Sequence, residues 1–305
     1  MHKYIDAHVH ITPASSLGRE NQRFGTILQP YGFLKMKDGG FQTMPPYMHD
    51  SQFTSDALIA TMDAYGVEKA VILQSLMAPQ NAEVAEAVHK YPERLTGAMV
   101  VEPVDGWDDE IRRWSEAGLK VIKFEMRSYT DHNCYPDITY SDTRMMQMFE
   151  LAEKLNLTVT IDPAPVNFPI YKPEELEYAV SSFPNLHFVL CHLGYPKPLG
   201  TPAYERRWKK MIEVTRHSNC WVDTSAMPDM FDEEGWPYPT ALKILNYVKD
   251  IAGADYLLWG SDITGTLNRA TYPQMQRMFE KDVSLSEEDM NKLFYLNAKA
   301  AYYLK

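Results

Sequence analysis

Two histidines spaced two residues apart, His8 and His10, end a strand-like run that begins at Tyr4. Side chains alternate along an extended chain, so Asp6, His8 and His10 are expected on one face and Ile5, Ala7 and Val9 on the other. Neutral imidazole nitrogens in that arrangement can converge on one metal ion. Four further runs end in groups that can ligate a metal or carry a proton. Val121, Lys123 and Glu125 share a face with Ile122 and Phe124 behind, and Thr158, Thr160 and Asp162 share another. The run ending in Cys191-His192-Leu193-Gly194 puts His192 in register with Leu190 and Phe188, and Leu258 to Asp262 brings Asp262 beside the first strand. Each residue has a plain structural explanation when taken alone. A His-x-His pair arises by chance, a strand-end aspartate caps the next helix, His192 fits a core, and Glu125 or Asp162 can pair with Lys123 or Arg127. Co-occurrence at equivalent strand ends favours metal ligation by His8, His10 and Asp262, with Glu125 or Asp162 as a further donor, and catalysis by His192 and Asp262.

Eight short β-branched or apolar runs position these groups: Tyr4 to His8, Lys69 to Gln74, Thr96 to Val101, Val121 to Glu125, Thr158 to Asp162, His187 to His192, Cys220 to Ser225 and Tyr256 to Asp262. Amphipathic segments lie between them, the pattern of a parallel sheet covered by helices. Thr54 and Ser55 are N-cap candidates, Pro173 suits a first helical turn, Ser286 with Asp289 resembles a capping box, and Gly66 and Gly118 fall where a left-handed C-cap is expected. No glycine-rich phosphate loop follows any strand, so the pattern predicts an α/β fold of the (β/α)8 TIM-barrel type and not a doubly wound sheet. The expected organisation is one barrel domain over residues 1–305, with residues 11–53 as a long insertion after the first strand. That insertion has little periodicity but holds Phe24, Tyr31, Phe33, Phe41 and Tyr47, which suits a lid over the catalytic face or a dimer-contact arm.

The chain has 305 residues, with 30 Lys+Arg against 41 Asp+Glu and a formal net charge of −11. With no basic block, a nucleic-acid or anionic-membrane partner is disfavoured and a small-molecule substrate is expected. A homodimer is open on general grounds alone. Cys134, Cys191 and Cys220 form no C-x-x-C pair. With neither a signal peptide nor a membrane-length apolar stretch in the sequence, the expected location is the cytoplasm.

The segments Ile5-Asp6-Ala7-His8-Val9-His10, Cys191-His192-Leu193-Gly194, Gly260-Ser261-Asp262 and Asn297-Ala298 resemble the amidohydrolase superfamily over essentially the whole chain. The likeness is to its amidohydrolase-related branch of metal-dependent hydrolases, lactonases and nonoxidative decarboxylases of the aminocarboxymuconate-semialdehyde and resorcylate types. The resemblance implies a divalent metal held by His8, His10 and Asp262, with His192 over the substrate. Many members place a histidine ligand at the end of the fifth strand, where this chain has Asp162 and Pro163. Either Asp162 replaces it, or Glu125 supplies the donor, or the metal is weakly held. Zn²⁺ is expected, with Mn²⁺ compatible with the extra carboxylates.

The expected reaction is hydrolysis of a lactone, ester or amide by metal-activated water, with Asp262 shuttling the proton and His192 steadying the oxyanion. Arg127, Lys197 and Arg206 are candidates to hold a substrate carboxylate. The alternatives are metal-dependent decarboxylation of a small carboxylic acid and a degenerate barrel that only binds a ligand.

Overall fold

The computed structural model describes residues 2–76, 78–126, 138–197, 200–280 and 284–305. The first strand, β1 (Tyr4–Val9), is followed by four short strands in the insertion: β2 (Glu20–Asn21), β3 (Thr26–Leu28), β4 (Phe33–Met36) and β5 (Gly39–Gln42). Seven more strands follow: β6 (Val67–Ile72), β7 (Leu95–Met99), β8 (Val121–Glu125), β9 (Thr158–Asp162), β10 (His187–Leu190), β11 (Cys220–Asp223) and β12 (Leu257–Leu258). The eight-stranded sheet runs β1-β6-β7-β8-β9-β10-β11-β12, and every pairing in it is parallel. Its edges meet where Ala7 N donates to Trp259 O at 2.9 Å, Asp262 N to His8 O at 2.8 Å and His10 N to Ile263 O at 2.8 Å. The molecule is a TIM barrel.

Helices α1 (Ser55–Tyr65), α2 (Asn81–Lys90), α3 (Trp107–Glu116), α4 (Thr143–Lys154), α5 (Pro173–Ser182), α6 (Pro202–Glu213), α7 (Met227–Met230), α8 (Pro239–Ala252), α9 (Tyr272–Arg277), α10 (Glu287–Asn291) and α11 (Asn297–Ala301) follow in chain order. Their ends obey local chemistry. The Thr54 side chain accepts from Ala57 N at 3.3 Å, and Ser286 and Asp289 form a reciprocal capping box. Gly66 stops α1 at φ +72, a backbone conformation that costs glycine little.

Two apolar layers fix the barrel. Ile122, Phe124, Val159, Ile161, Phe188, Leu190 and Val222 face the helices, whereas Ile5, Ala7, Val121, Val189, Trp221 and Leu258 fill the interior. Ala298, Ala301 and Tyr302 join the interior layer, and Thr158 Oγ1 donates to Ala301 O at 2.8 Å. The chain's last helix thus stoppers the end where the strands begin, leaving the mouth at their C-terminal ends for a site.

The expected alternation fails along β1. Ile5 and Ala7 belong to the interior, and Asp6 points the other way, accepting from Tyr272 Oη of α9 at 2.6 Å and from Ser261 N at 2.9 Å. The cause is a register shift between Asp6 and Val9. A bulge of this kind reverses the parity of the residues beyond it, so His8 turns toward the mouth while Asp6 stays with the helices.

The insertion is also more ordered than its sequence suggested. Strands β2 to β5 form an antiparallel sheet, with Leu28 and Leu34 packed against Phe24 and Phe41. Reciprocal bonds between Thr12 and Phe53 at 2.7 and 2.8 Å close its neck. Tyr31 and Tyr47 are exposed and add little to that packing. Among the described residues, no helix is long and apolar enough to cross a membrane.

Candidate metal centre

Three chain segments reach the mouth by leaving regular strand geometry. β1 does so through its bulge. β10 ends before His192, which adopts φ 58 and so turns its ring away from the helix-facing side that simple alternation with Leu190 predicts. Asp262, beyond β12, adopts φ 56. Non-glycine residues held in this region cost of order 1–3 kcal/mol and persist where surrounding structure over-determines them.

His8, His192 and Asp262 each offer a donor atom, and these atoms all lie within 4.8 Å of one another. His8 Nε2 is buried without a hydrogen-bond partner, 3.6 Å from Asp262 Oδ1. A buried bare nitrogen is costly unless something fills its lone pair. Two imidazoles and a carboxylate are a donor set suited to Zn²⁺ or a similar divalent ion, so these residues fit the implied metal. His10 stands beside the cluster: its Nε2 is 3.0 Å from the same Asp262 Oδ1, its ring centroid is 5.3 Å from that of His8, and it lines the cavity.

Behind the rings lies a carboxylate that the sequence reading missed. Asp223, at the end of β11, is fully buried, and its Oδ2 is 2.9 Å from His8 Nδ1. Its Oδ1 accepts from His192 N at 2.8 Å and from Ser225 N at 3.1 Å. Burial pushes the His8 imidazole down to about 4, with Asp223 and Asp262 resisting, which keeps the ring neutral near pH 7. Burial disfavours ionised Asp223 and Asp262 too, but the neighbouring histidines and hydrogen bonds outweigh it and hold both carboxyls below their ordinary range. The missed signal was available: Asp223 and Ser225 are spaced two apart at a strand end, as His8 and His10 are.

The centre opens into a cavity of about 940 Å³. Asp162, His192 and Asp262 contribute from the barrel, Lys197 and Arg269 from later loops, and Phe41 and Met44 from the insertion. Lys197 Nζ is 3.0 Å from Glu233, and Arg269 Nε is 3.0 Å from Asp232.

A family model described as amidohydrolase matches residues 5–304. The chain belongs to the amidohydrolase family. Solved structures share the architecture of this amidohydrolase over nearly all of both chains. A probable 2-pyrone-4,6-dicarboxylic acid hydrolase from Acinetobacter baumannii with citric acid bound is 16% identical, with a TM-score of 0.73 and coverage of 98% of each chain. An amidohydrolase from Burkholderia multivorans with bound zinc is 15% identical, with a TM-score of 0.72 and coverage of 99% of each chain. The 5-carboxyvanillate decarboxylase from Sphingomonas paucimobilis is 16% identical, with a TM-score of 0.63 and coverage of 100% of this chain and 99% of the other. At these identities the likeness concerns the fold. No curated protein matches the chain.

Within this amidohydrolase the candidate residues do not all meet. Asp162 lines the cavity, with Oδ2 3.8 Å from His192 Nε2. Glu125 stands apart from the donor cluster: its Oε2 accepts from Ser75 Oγ at 2.8 Å and from Leu76 N at 2.7 Å, tying β8 to the loop after β6. Lys197 lines the cavity, while Arg206 is exposed on α6. Arg127 lies outside the described residues.

Proposed function

We propose that the protein is a metal-dependent hydrolase acting on a lactone, ester or amide of a small molecule. The observation that carries this reading is the bare Nε2 of His8, buried beside Asp262 and His192, which line the cavity. On this reading His8, His192 and Asp262 hold one divalent ion, Zn²⁺ before Mn²⁺. When bound, the ion lowers the pKa of a coordinated water to about 7 and makes hydroxide available near neutral pH.

The protein's own groups do the remaining work. Asp262 accepts the proton released as water attacks and returns it to the leaving group. His10, 3.0 Å from Asp262 Oδ1, keeps that carboxylate oriented. Asp162 at the cavity wall adds an oxygen donor beside His192. Residues 1–305 act as one barrel unit, with residues 11–53 covering the mouth so that Phe41 and Met44 shield the reacting group from bulk water.

The test is elemental analysis of protein purified without chelator or metal-binding tag, followed by a panel of lactones, esters and amides assayed for acid release in a pH-stat. About one ion per chain and metal-dependent hydrolysis are expected, with activity abolished in Asp262→Asn. Failure to take up Zn²⁺ or Mn²⁺, or full turnover by Asp262→Asn, overturns the reading. Release of CO₂ from a carboxylic acid without hydrolysis of any panel member would replace it with decarboxylation.

A further inference from the structure

The hydrogen bonds at the end of β11 fix more than the position of two rings. Ser225 Oγ has three close neighbours: Asp223 Oδ1, His192 Nδ1 at 2.8 Å and His8 Nδ1 at 3.0 Å. It has one proton to give. Asp223 Oδ1 already accepts two backbone N–H groups, from His192 and Ser225, so it acts as a carboxylate oxygen with no proton of its own. Two oxygens in contact need a hydrogen between them, so the serine proton points to Asp223. The lone pairs of Ser225 Oγ then face both imidazoles, and each Nδ1 must be the donor. His8 Nδ1 finds the same answer at Asp223 Oδ2, 2.9 Å away.

We infer that Asp223 and Ser225 are positioning residues that lock His8 and His192 together into the Nδ1–H tautomer, presenting both Nε2 lone pairs to the cavity. The two rings sit with centroids 4.8 Å apart, as one unit anchored from behind. His192 therefore offers the cavity a lone pair. An N–H directed at an oxyanion, the role its sequence position first suggested, would require the serine proton to leave Asp223. His192 becomes a ligand or proton acceptor, and Ser225 is the residue that decides this. Among the described residues His8 has two acceptors behind it and His192 one, so the two rings differ in how firmly they are held.

The tautomer assignment stands on hydrogen bonds alone, while its consequence for the ion rests on the metal reading above. The experiment keeps them apart. Metal-stripped protein selectively labelled with ¹⁵N-histidine is examined by long-range ¹H–¹⁵N correlation, with His8→Gln and His192→Gln used to assign the rings. Both rings are expected to show a protonated Nδ1 and a bare Nε2. In Ser225→Ala, His192 loses the acceptor that Ser225 Oγ gives its Nδ1 and moves toward the Nε2–H form, whereas His8, still bonded to Asp223, keeps its pattern. A purely structural role for Ser225 would move both rings or neither. Titration with ZnSO₄ should then show affinity lower by about 10-fold or more in Ser225→Ala, the scale of losing a group that orients a ligand histidine. An Nε2–H pattern for His192 in the wild type, or unchanged His192 resonances in Ser225→Ala, overturns the inference. If Ser225→Ala fails to fold, Ser225→Cys and the wild-type spectrum still decide it. Zinc that fails to bind a protein with the expected tautomers would count against the metal reading and leave the tautomer assignment intact.

Discussion

Gly260 passes so close to His8 that a Cβ on it would lie 2.8 Å from the Cβ of His8. The last strand can lie against the first, and carry Asp262 to His8 and His192, only because that position has no side chain. Gly260→Ala should cost about 1–3 kcal/mol of stability through overpacking and should separate His8 from Asp262. Urea denaturation and zinc titration of the variant check this. Wild-type values in both would mean that the strands are free to shift without consequence.

The orientation of Asp6 offers an independent test of the β1 bulge. Tyr272 Oη donates to Asp6 Oδ2 at 2.6 Å, on the helix side of the sheet. A double-mutant cycle with Asp6→Asn and Tyr272→Phe at pH 8 should give a coupling of about 1.5–3 kcal/mol, the range for a hydrogen bond to a charged group. Burial pushes the Asp6 carboxyl up to about 6, so it is ionised at that pH. Coupling near zero would place Asp6 on the mouth side with His8, as simple alternation predicts.

Where the chain is regular, alternation was a sufficient guide. Val121, Lys123 and Glu125 do turn inward from β8, and Ile122 and Phe124 do face the helices, because nothing disturbs the pleat between them. The same rule failed at Asp6, where a bulge intervenes, and at His192, where a positive φ reverses the side chain. Neither leaves a mark on composition or spacing. Strands β2 to β5, of two to four residues each, are too short for periodicity to register. The site itself was half legible. Ligand-type residues at strand ends could be read, but the turn of His192 toward His8 and Asp262, beside which His10 also stands, depends on backbone dihedrals. Asp223 was legible by the same alternation, yet aspartate at a strand end has so common a structural use that its type and position do not single it out.

Cys220 gives a prediction at alkaline pH. It is buried on the helix-facing side of β11, and burial pushes its thiol up to about 12. The folded protein therefore keeps the thiol neutral while the unfolded chain ionises it near pH 9, so its contribution is complete below that pH and declines as pH rises toward 12. Between pH 8 and pH 10 the wild type should lose about 1 kcal/mol more stability than Cys220→Ala. Urea midpoints at the two pH values report the difference, and parallel losses in the two proteins would show that Cys220 ionises normally in the fold.

The two candidate carboxylates at the barrel mouth should separate cleanly. Glu125 Oε2 is engaged by Ser75 Oγ and Leu76 N, at 2.8 and 2.7 Å, so Glu125→Ala leaves buried donors unpaired and should cost about 1–3 kcal/mol in stability. Zinc stoichiometry should not change, because the carboxylate it removes points at the loop after β6. Asp162 lines the cavity 3.8 Å from His192 Nε2, so Asp162→Ala should lower zinc affinity by about 10-fold or more with a smaller effect on stability. Both variants are compared by thermal denaturation in chelator and by metal analysis after dialysis against limiting Zn²⁺. Loss of zinc from Glu125→Ala together with retention by Asp162→Ala would reverse the assignment and require the Glu125 side chain to swing from Leu76 into the mouth when the ion binds.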